Sequence, residues 1–65
     1  MKHIFEFTVE DYLKFKTMAD YLIDSMVSFK ACYSIDGSSA IEFECDDKFY
    51  EFMLEEVPRI YNERY

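Results

Sequence analysis

One glycine, one proline, one histidine and no tryptophan occur in 65 residues. So little glycine and proline excludes flexible linkers and low-complexity segments, and no repeat is visible. A phosphate-cradling loop needs several glycines, and zinc sites need regularly spaced Cys and His, so neither is present. A long apolar run is also missing. With no stretch of about 18 apolar residues, the sequence predicts no membrane-spanning helix. The acid at Glu6 interrupts the N-terminal segment too early for a secretory signal. There are two cysteines, Cys32 and Cys45. Strand parity points them to opposite faces of a sheet, so no internal disulfide is expected, and a reducing cytoplasm is the expected setting.

Basic residues are scarce as well. Seven Lys and Arg stand against 14 Asp and Glu, for a net charge of −7. The imbalance lies in the second half: residues 1–35 hold five acids and four bases (−1), whereas residues 36–65 hold nine and three (−6). Affinity for nucleic acid or an anionic membrane comes mainly from cationic side chains, so direct binding to either is not expected. A basic protein surface is the natural complement. Aromatics, by contrast, are abundant. Seven Phe and six Tyr give a single small domain, residues 1–65, the apolar area a core needs without metal or disulfide.

The clearest local signal is a β-hairpin around Asp36-Gly37, flanked by two alternating runs. Phe29, Ala31, Tyr33 and Ile35 share one face of the first run, and Ile41, Phe43 and Cys45 share one face of the second. For both sets to enter one core the loop must hold an odd number of residues, Asp36–Ser38 or Gly37–Ser39, with Gly37 left-handed. Residues 2–7 alternate too, with His3, Phe5 and Phe7 inward and Lys2, Ile4 and Glu6 outward.

From Val9 to about Met26 the period becomes helical. Thr8 with Asp11 resembles a capping box, and Tyr12, Phe15, Ala19, Leu22, Ile23 and Met26 form the inner stripe. A very short link at Val27-Ser28 leads to the hairpin. After it, Asp46 or Asp47 caps a second helix with an inner stripe of Phe49, Phe52, Met53, Val57 and Ile60. Pro58 should kink or end that helix near Glu56.

The order β-α-β-β-α defines an α+β, two-layer domain with a three-stranded mixed sheet and both helices on one face. Inserting the third strand between the first two gives order 1-3-2, an architecture that resembles a ferredoxin-like fold lacking its fourth strand.

Three surfaces are candidates for function. The open face of the sheet carries Glu6, Glu42 and Glu44. Carboxylates two apart on a strand lie roughly 6.6–6.8 Å apart, close to the spacing of successive phosphates, so such a face imitates a nucleic-acid backbone. The second surface is the acidic final helix, with Asp46, Asp47, Glu51, Glu55, Glu56 and Glu63 beside Tyr50, Leu54, Tyr61 and Tyr65. Tyrosines among acids suit a protein interface. The third is the free edge of the first strand, with Lys2, Ile4 and Glu6, open to pairing with another chain. His3 is expected to be structural, Cys32 unreactive, and no residue is assigned to a metal, a cofactor or catalysis.

The expected function is therefore protein binding. An acidic inhibitor or modulator would occupy a basic surface of the kind that binds nucleic acid, for example on a nucleic-acid-processing enzyme, as small phage or mobile-element anti-defence proteins do. The alternative is a homodimeric structural or ligand-sensing module joined through the first-strand edge. A carboxylate-dependent metal enzyme is a third class, and the absence of a nucleophile motif argues against it.

Overall fold

The strand with the most complete alternation lies at the centre. In the computed structural model, which describes residues 1–65, Ser39, Ile41 and Phe43 of β3 (Ser39–Glu44) are buried while the residues between them are not. On one side β3 pairs with β1 (Lys2–Phe7), setting Phe5 opposite Ile41. On the other it pairs with β2 (Phe29–Tyr33), setting Ala31 opposite Ile41. The sheet order is β1-β3-β2. β1 and β2 point the same way, but β3 separates them, so both ladders are antiparallel and no parallel pair forms. The chain order is β-α-β-β-α, with helices α1 (Tyr12–Asp24) and α2 (Asp47–Arg64).

The hairpin keeps the expected odd loop length but begins one residue earlier. Ser34 N–H donates to Ser38 O at 2.9 Å, leaving Ile35, Asp36 and Gly37 as the loop. Ile35 is therefore fully exposed rather than part of the core face. Gly37 takes φ 89°, and a Cβ there would meet Val9 Cγ2 at 2.9 Å, so both conformation and space demand glycine. Asp36 supplies the competing signal that places the turn, since its carboxylate accepts from Ser38 N–H (3.0 Å) and the Ser38 hydroxyl (2.7 Å).

The first helix departs from its expected limits at both ends. Thr8 makes no side-chain cap, and a 3-10 turn, Val9–Asp11, precedes α1. At the other end Met26 N–H donates to Ile23 O and Val27 N–H to Leu22 O, both at 3.0 Å, with Met26 at φ 60°. This is the double-bonded helix terminus that normally uses glycine, here built with methionine. Met26 consequently projects into solvent, 93% exposed.

The buried arc of α1 is also rotated. Phe15, Thr17, Met18 and Leu22 are buried, whereas Tyr12, Ile23 and Met26 are exposed. The cause is a second neighbour. α1 packs on α2 as well as on the sheet, with the Tyr21 and Phe49 rings 5.9 Å apart and an Asp20–Arg64 ion pair at 3.7 Å. Thr17 tolerates burial because its hydroxyl donates to Leu13 O at 2.7 Å.

α2 starts as expected, Asp46 accepting from Phe49 N–H at 2.7 Å. It does not stop or break at Pro58; the helix runs on to Arg64. Pro58 is exposed, so water can satisfy the Leu54 carbonyl that loses its helical donor. The core is one cluster: Phe15, Met18, Leu22, Ile41, Phe43, Met53 and Val57. Phe52 lies outside it at 56% exposure. Measured from Met53, Phe49 and Val57 fall at about ±40° around the helix but Phe52 at about −100°, beyond the buried arc.

Candidate protein-binding surface

The register decides what the open face of the sheet presents. Lys2 stands opposite Glu44, while Ile4 and Lys30 flank Glu42 on either side. Glu6 faces Ala40, with Cys32 beyond it. The carboxylates are thus interleaved with Lys2 and Lys30, and Lys2 Nζ lies 3.7 Å from Glu42. Glu6 does sit on the strand adjacent to Glu42 and Glu44, as expected from order 1-3-2, but two bases stand among the three acids; Glu42 has the salt bridge to Lys2, while Glu6 and Glu44 have none. A continuous line of unneutralised charge does not form there.

Such a line forms on α2. Of its acids, Glu56 and Glu63 both bind the Arg59 guanidinium, the latter at 2.9 Å, and those contacts raise the Arg59 pKa further. Asp46 is committed to the helix cap. Asp47, Glu51 and Glu55 remain, exposed and without a salt-bridge partner in the chain. Spaced four apart, they stack along one face, with successive Cβ atoms about 5–6 Å from each other. Phe52 stands exposed beside this stripe, in a shallow depression formed with Lys48, Glu51 and Glu55.

The tyrosines are spent differently. Tyr50 stacks on His3 with ring centroids 3.7 Å apart and planes 6° from parallel, and it is half-buried. Tyr61 is half-buried with the Lys14 ammonium 5.6 Å over its ring. Leu54 stays 45% exposed. Tyr65, at the C-cap, is 57% exposed, and within the helix the aromatic left exposed is Phe52, which the helical count assigns to the core. The i, i+4 spacing of Asp47, Glu51 and Glu55 is visible in the sequence, and so is the signal that the sequence analysis passes over, the i, i+3 and i, i+4 placement of Arg59 against Glu56 and Glu63.

His3 faces inward, packed between Tyr50 and Phe43, and its Nε2 is buried without a hydrogen-bond partner. Both cysteines are free thiols; Cys32 is exposed and Cys45 half-buried. Burial, with Asp46 nearby, pushes the Cys45 thiol pKa up. Burial likewise raises the Tyr21 phenol, with a contribution from Glu56. No three His, Cys, Asp or Glu side chains converge as metal ligands would, and no helix is long and apolar enough to cross a membrane. At the end of the sheet a groove of about 830 Å³, floored by Val27, Phe29, Phe43 and Phe49, opens to solvent.

Comparisons with protein-family models, curated proteins and solved structures return no match.

Proposed function

We propose that the protein acts by binding another protein, through the outer face of α2, as an inhibitor or modulator that covers a basic surface of its target. The observation that carries this reading is the line Asp47, Glu51, Glu55, none of which forms a salt bridge, with Phe52 exposed beside it and Lys48 at its flank. An exposed phenylalanine gains by desolvation in a partner's pocket, while the carboxylates steer approach and fix orientation. The complementary partner carries Lys and Arg around an apolar recess. A nucleic-acid-processing enzyme has such a surface, and the acidic stripe would compete there with phosphate. This is the mode of action of a nucleic-acid mimic of the phage or mobile-element anti-defence kind, working in a reducing cytoplasm where both thiols persist.

The test compares paired charge reversals, each immobilised and exposed to nuclease-treated cell lysate at low and high salt. Glu51→Lys with Glu55→Lys should abolish capture of the proteins that wild type retains at low salt, as should Phe52→Ala. Glu42→Lys with Glu44→Lys, altering a face where Lys2 and Lys30 already stand among the acids, should weaken capture far less. Equal capture by wild type and the Glu51/Glu55 variant would refute the assignment to α2.

A further inference from the structure

The register of β1 shows which backbone groups its free edge offers. Cys45 N–H donates to Met1 O at 3.2 Å, and the Met1 amine donates to Cys45 O at 3.0 Å, so Met1 and Cys45 are a hydrogen-bonded pair. In an antiparallel ladder such pairs alternate with non-bonded ones. His3, Phe5 and Phe7 therefore bond to β3, while Lys2, Ile4 and Glu6 turn both N–H and C=O outward, and no strand of this chain pairs with them.

The side chains of those three residues are self-complementary. Placing a second β1 antiparallel to the first, with a twofold axis at Ile4, sets Ile4 beside its own copy and Lys2 beside Glu6 of the other chain, twice. All three outward residues on each strand are then used, giving three bonded pairs of two hydrogen bonds each. A shift of one residue would face outward groups with inward ones, and a shift of two would strand one end and lose the charge match.

We infer that the protein forms a twofold dimer by β1–β1 pairing centred on Ile4, completing a six-stranded sheet. Ile4 is 60% exposed, the one large apolar side chain in the middle of a polar face, and this pairing covers it. In the helix layer Tyr50 packs over His3 and near Phe5, and Leu54, one helical turn further along α2, is 45% exposed. The other free edge lacks this match. On β2 the outward residues are Phe29, Ala31 and Tyr33, since Ser34 bonds to Ser38, and self-pairing about Ala31 would set Phe29 beside Tyr33 with no charge pair to fix the register. The interface leaves the Asp47–Glu51–Glu55 stripe uninvolved, so it stands or falls independently of the function proposed above.

Light scattering coupled to size exclusion tests this, with enough salt to screen repulsion between two chains of charge −7. Wild type should give twice 7.9 kDa, or 15.8 kDa. Ile4→Pro should give 7.9 kDa, because position 4 donates only outward and proline there breaks no ladder bond to β3. Lys2→Glu and Glu6→Lys should each be monomeric, the double swap dimeric, and an equal mixture of the two single variants should pair as a heterodimer. Circular dichroism of each variant controls for folding. A wild type of monomer mass up to millimolar concentration, an Ile4→Pro dimer, or single variants that fail to pair on mixing would each overturn the inference.

Discussion

Met26 holds a conformation that suits glycine. A non-glycine residue in the left-handed region costs roughly 1–2 kcal/mol, and the side chain recovers little when 93% exposed. Met26→Gly should therefore raise stability by about 1 kcal/mol, read as an increase in Tm of about 4–8 °C for a domain of this size. A fall in Tm would mean that the exposed methionine makes contacts in solution that offset the strain. Asp36 acts at the same scale. The Ser38 N–H and hydroxyl hold its carboxyl below the ordinary value of 3.8, so the charged form is favoured in the folded state. The associated stability is present above the unfolded pKa and is lost as pH falls through the lower, folded one. Asp36→Asn should accordingly flatten the decline of stability below about pH 4, measured by urea titration across the acid range. An unchanged slope would show that the turn does not discriminate between the two protonation states.

For the elements, legibility followed the number of neighbours each one has. β1 and β3 are readable because a period of two and a single buried face fix both register and facing, and His3, Phe5 and Phe7 do turn inward; on β2, at the sheet edge, only Phe29 is half-buried, and Ala31 and Tyr33, expected in the core, are exposed. The hairpin parity was readable for the same reason, although Asp36 bonding to Ser38 drew the loop back onto Ile35. The helices were readable in existence but not in rotation, because each packs against the sheet and against the other helix. That second contact buries Thr17 and Met18, exposes Ile23, and leaves Phe52 outside. A hydrophobic count along one helix carries no information about it. The candidate surface shared this fate in part. The acids of α2 were visible, and so was the i, i+3 and i, i+4 placement of Arg59 that sorts them into paired and free groups, whereas the interleaving of acids and bases on the open face depends on cross-strand register. Pro58 shows the limit of a local rule, since the helix continues through it at a site where water can serve the freed carbonyl. The cost remains in the helix, so Pro58→Ala should stabilise by about 1–3 kcal/mol in chemical denaturation. No gain would mean that proline sits at a break already present in the backbone.

The whole molecule separates its surfaces by chemistry. One sheet face lies beneath the two helices, the other sets two bases among three acids, the β1 edge is self-complementary, and three acids without a salt-bridge partner line the outside of α2. A chain with only seven buried core residues has little stability to spare, and like charges spaced i, i+4 along α2 do not add to it, although Asp47 suits the first turn of the helix. The proposed function rests on a basic partner binding along that line. The most direct measurement of it is a titration of the isotopically labelled protein with a lysine-rich peptide carrying one aromatic residue, followed by amide chemical shifts. Binding through α2 should give salt-sensitive shifts concentrated on Asp47, Lys48, Glu51, Phe52 and Glu55, with Glu6, Glu42 and Glu44 little changed. Shifts centred on the open sheet face, or spread evenly over every acid, would contradict it.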